Sequence, residues 1–252
     1  MNHFEKPAPL QITGEKEVLL ALERMEKGVE EVFMILIETN FLMSKIREKA
    51  IDLQIPILEI SQTDINRMRV KKEPLSHVLA LIGRDPFITS VTELLSLSGP
   101  IWFLVNVSYV SNIGLCVRTA EASGAAGILT YPPLSNQKRR SVNHFSMGAD
   151  RFLPILSVSN VSTFFEKCRL ANRPIYALET SGNILLNEIK SVNEGVWIVG
   201  NELEGIPEEI LSQCDSIVRL PFGGFVPSYN LQTAMSAVAL ENLHRDLIHR
   251  SI

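Results

Sequence analysis

The stretch IWFLVNVSYVSNIGLCVRTAEASGAAGILTY, residues 101 to 131, decides the fold. It opens on the apolar run IWFLV (101–105) and closes on a second one, GILTY (127–131), with a helical pattern at 112–122 between them. Two apolar strands joined by a crossover helix make a βαβ unit, and sheets assembled from such units are parallel and covered by helices on both faces. The same alternation continues outward. LPILS (153–157), PIYAL (174–178), VWIVG (196–200) and SIVRL (216–220) read as further strands. Helical patterns fall at 136–143, 161–170 and 207–212, and a closing helix runs from about 230 to 249.

The first third alternates independently. Thr13 is placed to cap a helix in which Val18, Leu19, Leu22 and Met25 recur at helical spacing. The strands expected here are VFMILI (32–37), IPILEI (55–60) and SHVLALI (76–82), with helical patterns in FLMSKIREKAIDL and SQTDINRMR between them. This predicts a small α/β/α domain over residues 1–83, a linker with one short helix over 84–99, and the larger parallel-sheet domain over 100–252.

Composition bounds the chemistry. Hydrophobic residues make up 46% of the 252, enough to fill two ordinary cores, so no disordered class fits. The N-terminal residues lack a basic segment followed by an apolar run, and no stretch is long and apolar enough to span a bilayer; a soluble, cytoplasmic protein is expected. Cys116, Cys168 and Cys214 are widely spaced without a C-x-x-C pair, and the five histidines show no ligand spacing, so neither disulfide nor metal is expected. A net charge of −4 does not advertise a nucleic-acid binder. Two local basic clusters stand against that average, one with Arg67, Arg69, Lys71 and Lys72 and one with Lys138, Arg139 and Arg140. Each suits either a solvated loop or a phosphate backbone.

Ligands of open parallel sheets bind beyond the carboxyl ends of the strands. Three loops there are dense in glycine, asparagine and serine: NVSYVSNIG (106–114), GNELEG (200–205) and PFGGFVPSYN (221–230). Neither G-x-G-x-x-G nor G-x-x-x-x-G-K-[ST] occurs, which removes the two common nucleotide-binding readings. Asn112 is placed to cap the helix that carries Arg118, with Gly114 allowing close approach. Each loop taken singly is also explained by turn and cap duties.

In combination the loops resemble the SpoU/TrmH branch of the SPOUT RNA methyltransferases. That family's N-x-G-x-x-x-R-T-A is matched by Asn112, Gly114, Arg118, Thr119 and Ala120, and its G-N-E-x-x-G by Gly200, Asn201, Glu202 and Gly205. Its third motif is matched by Leu220, Pro221, Gly224, Ser228, Asn230 and Ala234, and SMGADRFLPI (146–155) fits the connecting segment. Residues 1–83 look like the small domain, similar to ribosomal protein L30e, that many members use to bind substrate. The third motif departs from the pattern as SYNLQ: Tyr229 replaces leucine and Gln232 replaces serine.

The resemblance implies a trefoil-knotted parallel sheet, a homodimer, S-adenosylmethionine as cofactor, and methyl transfer to a ribose 2′-hydroxyl of rRNA or tRNA. It implies catalytic roles for Arg118, Asn112, Glu202, Ser228 and Asn230, and a cofactor site made by Leu178, Thr180, Gly200, Asn201, Gly205, Leu220, Pro221, Ser228, Asn230 and Leu231. The two basic clusters would then face RNA. On the closing helix, Leu231, Met235, Val238 and Leu247 fall roughly on one side, suited either to a subunit contact or to the chain's own core. A catalytically inactive RNA-binding paralogue, suggested by SYNLQ and the acidic balance, and a methyltransferase for another RNA acceptor atom are the alternative readings.

Overall fold

Two sheets form, each within its own unit of the chain, one ending at residue 86 and the other beginning at residue 87. The computed structural model describes residues 11–69, 75–189 and 193–249.

The first unit contains β1 (Gln11–Thr13), α1 (Glu15–Glu26), β2 (Val32–Glu38), α2 (Ser44–Asp52), β3 (Ile57–Ile60), α3 (Gln62–Met68) and β4 (Val78–Ile82). Its four-stranded sheet has the order β1-β4-β2-β3, with β4 antiparallel to both neighbours and β2 parallel to β3. Val18 and Leu22 of α1 and Ile46 and Ala50 of α2 are buried against Ile35, Ile37 and Val78 of the sheet. Thr13 is not the helix cap: it belongs to β1, and Gly14 holds the cap position. A β-branched threonine is at home in the ladder opposite Leu79, which ends the strand just before the helix.

The second unit begins with α4 (Val91–Ser96) and β5 (Ile101–Val105). It continues with α5 (Val110–Ala122), β6 (Gly127–Tyr131), α6 (Asn136–Ser146), β7 (Ile155–Ser157), α7 (Val161–Leu170), β8 (Ile175–Leu178) and β9 (Ile184–Leu185). It closes with β10 (Val196–Val199), α8 (Glu208–Leu211), β11 (Ser216–Arg219) and α9 (Leu231–His249). The segment expected as a linker contributes Ile88, Leu94 and Leu95 to this unit's core, because α4 is amphipathic and its apolar side has a sheet face to cover.

All pairings in the seven-stranded sheet β7-β6-β5-β10-β8-β11-β9 are parallel. Strand periodicity divides its side chains between two cores. Trp102, Leu104, Tyr176, Trp197 and Val199 point to the face covered by α5 and α9, where Ile113, Cys116, Val117 and Ala120 meet Met235 and Val238. Ile101, Phe103, Val105, Ile175 and Ile198 point to the other, where Phe164, Phe165 and Cys168 of α7 pack. Met235 and Val238 are fully buried, so this side of the closing helix serves the chain's own core; the side chain of Leu247 lies outside the description. The three cysteines are free, and burial pushes the Cys168 and Cys214 thiols up to about 12, which makes them inert packing groups.

Strand order matters more than strand count. The late strand β10 is inserted between β5 and β8, and β11 is inserted between β8 and β9. The carboxyl ends of β10, β8 and β11 therefore stand side by side, and the loops that follow them converge.

Candidate active site

The loop after β10 is a tight turn closed by its own backbone. Asn201 and Gly205 exchange N–H···O=C bonds of 3.0 Å, and Asn201 Oδ1 accepts from the amides of Leu203 at 2.8 Å and Glu204 at 3.1 Å. Gly200 is required by space: a Cβ there would collide with the backbone of Gly205 and Ile206. Asn201 Nδ2 reaches across to Asn106 O and Ser108 Oγ, both at 2.9 Å, and so ties this turn to the loop after β5.

Glu202 completes the tie. Its carboxylate accepts from the backbone amides of Ser108 at 3.0 Å and Tyr109 at 3.2 Å, and from Asn112 Nδ2 at 2.8 Å. Asn112 is thus not the cap of α5. It lies inside the helix and donates, while a carboxylate from a distant loop satisfies the orphan amides at the helix start, where the macrodipole also favours negative charge. Burial alone would push the Glu202 pKa up, but the bonds from Ser108, Asn112 and Tyr109 outweigh it and hold the carboxyl below the ordinary glutamate range.

A cavity of about 520 Å³ opens at the ends of β8, β10 and β11. From the β8 end it takes Leu178, Glu179 and Thr180, and from the β10 turn Gly200, Asn201, Glu202 and Gly205. Leu220, Ser228, Asn230 and Leu231 line it as well, with Phe222, Val226 and Tyr229 and with Val199, Leu203 and Ala234. Of the residues expected at a cofactor site, Pro221 alone does not line it. Its carbonyl instead accepts from Tyr229 Oη at 2.8 Å, a bond that closes the exposed loop 221–229 upon itself. Asn230 Oδ1 accepts from the Gln232 amide at 2.9 Å and so caps α9.

Glu179 was not singled out by its sequence context, although it lies between Leu178 and Thr180, which were. Its position directly after an apolar strand was the available signal. Burial pushes its carboxyl above the ordinary range, countered in part by a bond from the Ile206 amide. Gly205 permits that placement, because a Cβ there would stand 2.6 Å from Glu179 Oε1.

Arg118 does not line the cavity of its own chain. It is exposed on α5, and its Nη1 donates to Met147 Sδ at 2.7 Å. On either side of Met147 the chain is tied together, since Ser146 Oγ donates to Asp150 Oδ1 at 2.7 Å and Asn143 Nδ2 donates to both Asp150 oxygens. The close approach anticipated at Gly114 is that of α6, since a Cβ there would collide with Phe145. Lys138, Arg139 and Arg140 are exposed on α6, the helix packed against α5. In the other unit Arg67 of α3 pairs with Asp64 at 2.9 Å, and Arg69, the residue after that helix, with Asn66 at 3.4 Å; Lys71 and Lys72 lie outside the described residues.

Among the described residues no group of three or more histidine, cysteine, aspartate or glutamate side chains is placed to hold a metal ion, and no helix is long and apolar enough to cross a membrane.

Comparison with known proteins adds the following. Residues 100–240 match the SpoU rRNA Methylase family. A 23S rRNA (guanosine-2′-O-)-methyltransferase RlmB of Pseudomonas syringae is 31% identical over 158 residues; the match covers 61% of this chain and 62% of that relative's length. An uncharacterized tRNA/rRNA methyltransferase of Mycobacterium ulcerans is 26% identical over 91% of this chain and 77% of its own. Among solved structures, the SpoU methyltransferase AviRb of Streptomyces viridochromogenes is similar with a TM-score of 0.57 at 20% identity, covering 96% of this chain and 91% of its own. An AdoMet-bound rRNA methyltransferase of Sinorhizobium meliloti is similar with a TM-score of 0.58 at 19% identity, covering 94% and 87%. At these identities the structural likeness bears on the fold, an α/β architecture with a parallel sheet.

Proposed function

The chain belongs to the SpoU rRNA methylase family, and from that premise we propose that it transfers a methyl group from S-adenosylmethionine to a ribose 2′-hydroxyl of rRNA or tRNA. The observation that carries this reading is the cavity at the ends of β8, β10 and β11, whose wall includes Glu202, the residue that also caps the helix bearing Arg118.

The residues present fit the cofactor. The volume of about 520 Å³ lies within the range of small-molecule sites, and the lining mixes apolar Leu178, Leu220 and Leu231 with backbone and amide groups at Gly200, Asn201 and Asn230. When bound, S-adenosylmethionine supplies an electrophilic methyl group on a sulfonium. The protein's task is then orientation: the attacking oxygen must be held in line with the bond that breaks. Ser228 and Asn230, both in the cavity wall, would hold ribose and cofactor. Glu202 and Asn112 fix the helix that presents Arg118. A guanidinium with a pKa above about 12 is no base, so Arg118 holds the adjacent phosphate and stabilises the developing alkoxide, and the hydroxyl proton leaves to phosphate or water.

The exposure of Arg118 away from its own chain's cavity supports a homodimer in which Arg118 of one copy serves the cavity of the other. The insertion of β10 and β11 between earlier strands supports a trefoil-knotted path. We assign residues 1–83 as an L30e-like substrate-binding domain, with Arg67, Arg69, Lys71 and Lys72 toward RNA there and Lys138, Arg139 and Arg140 toward RNA near the active site. A cytoplasmic location, which suits an rRNA or tRNA substrate, belongs to the same proposal.

The test is incubation with tritiated S-adenosylmethionine and unmodified 23S rRNA and tRNA transcripts, followed by nucleoside analysis. A 2′-O-methylnucleoside that disappears in Arg118→Ala, with cofactor affinity spared, is the expected result. Label on a base would move the reaction to another acceptor atom, and RNA binding without transfer would mark an inactive paralogue.

A further inference from the structure

We propose that Gln232 is a positioning residue for methyl transfer, tying the wall of the cavity to the helix turn that carries Arg118. The proposal rests on the function given above and adds a residue to it. Gln232 lies in the first turn of α9, and its backbone amide donates to Asn230 Oδ1 at 2.9 Å, while Asn230 and Leu231 line the cavity. Its side chain points the other way along the chemistry. Nε2 donates to Thr119 Oγ1 at 3.2 Å and to Ser236 Oγ at 2.8 Å, and the two hydroxyls stand 3.3 Å apart. Thr119 is the residue after Arg118.

Beside this network the two helices share apolar packing: Cys116, Val117 and Ala120 of α5 lie in one core with Met235, Val238 and Ala239 of α9. Apolar burial is non-directional and leaves two helices free to slide or rotate by small amounts. Hydrogen bonds are directional, and a three-membered network among Gln232, Thr119 and Ser236 fixes one rotation and one register. The same glutamine therefore ties α5, and with it Arg118, to α9 within one copy, so that in the proposed homodimer each Arg118 is presented to the other copy's cavity from a fixed pair of helices. It stands where the resembling motif has serine, whose shorter side chain does not extend to a second helix in this way.

Gln232→Met keeps the length and packing of the side chain and removes the amide. Thr119→Val removes the hydroxyl that receives it. Rates are read with tritiated S-adenosylmethionine on mixed unmodified 23S rRNA and tRNA transcripts, and cofactor affinity is read separately by calorimetry. Each variant is expected to lower kcat about tenfold, as small misplacements of a reacting group do, while the Kd for S-adenosylmethionine stays within about twofold. The double variant should be no slower than the slower single, because both remove one link. Gln232→Glu, whose carboxylate accepts from both hydroxyls where the amide donated to them and which suits the helix start, should recover most of the rate. A wild-type kcat in Gln232→Met, multiplicative effects in the double variant, or a loss confined to cofactor affinity would each overturn the proposal. Arg118→Ala separates this from a failure of the function itself: an unchanged rate there overturns the premise, and the positioning role with it.

Discussion

Asn112 and Glu202, ninety positions apart in the chain, are joined by a 2.8 Å bond from Nδ2 to Oε1. The bond is one of three that the carboxylate accepts at the start of α5, so the loop after β10 does for this helix what a local serine or aspartate does for most. A wall of the cavity and the helix of Arg118 are thereby one mechanical piece.

Removing that cap should be felt in stability before chemistry. Glu202→Ala is expected to cost about 1 kcal/mol, the usual value of a lost helix cap, read as a lowered urea midpoint. The pH dependence has a definite sign. Because the bonds hold the Glu202 carboxyl below its ordinary range, its contribution is complete above about 4.3 and is lost as pH falls through the lower folded value. The gap between wild type and Glu202→Gln should therefore narrow on acidification through that window and stay constant above it.

Gly200→Ala tests the turn itself. The added methyl has no room against the backbone of Gly205 and Ile206, neither of which is a flexible side-chain end that can swing away. Overpacking of this kind costs about 1–3 kcal/mol, and here the relief is a shift of the turn that forms the cavity wall. Calorimetric titration should show the loss of S-adenosylmethionine binding at a temperature where circular dichroism still reports a folded chain.

The parallel sheet and its two covering layers were legible in the sequence because each strand is a short run apolar on both faces, as in Ile101–Val105 and Val196–Val199. The cavity was legible for the same reason, since its loops follow those strands. Three features were not. Asn112 reads as a local cap because capping is usually local, whereas its partner Glu202 arrives through strand order, which no periodicity encodes. Glu179 escaped notice because a glutamate after a strand looks like any solvated loop residue, and its burial comes from the neighbouring β10 turn. The apolar side of α9 was ambiguous between a subunit contact and the core, and only the packing of Met235 and Val238 against α5 decides it.

Tyr229, a departure from the resembling motif, supplies a bond rather than a defect. Tyr229→Phe removes the hydroxyl that closes loop 221–229 onto Pro221 O and leaves the ring at the cavity wall. One net hydrogen bond contributes about 0.5–1.5 kcal/mol, so the Kd for S-adenosylmethionine should rise between about twofold and tenfold. Because the loop is exposed, the melting temperature should hardly move; an unchanged Kd would show that loop closure and cofactor binding are independent.

Glu179 carries the opposite electrostatics to Glu202. Burial pushes its pKa up, and the Ile206 amide only partly offsets this, so above its folded pKa the ionised carboxylate costs the empty protein stability. For an acid whose folded pKa is raised, that cost is complete at high pH and vanishes once pH falls below the unfolded value of about 4.3. Glu179→Gln should therefore melt a few degrees above wild type at neutral pH, and the difference should shrink on acidification. The variant keeps an acceptor for the Ile206 amide, so the turn should survive. Thermal scans across the pH range in the absence of cofactor provide the check. If Glu179→Gln is instead less stable than wild type at neutral pH, the carboxylate is paired in the empty protein and its burial is not the dominant influence.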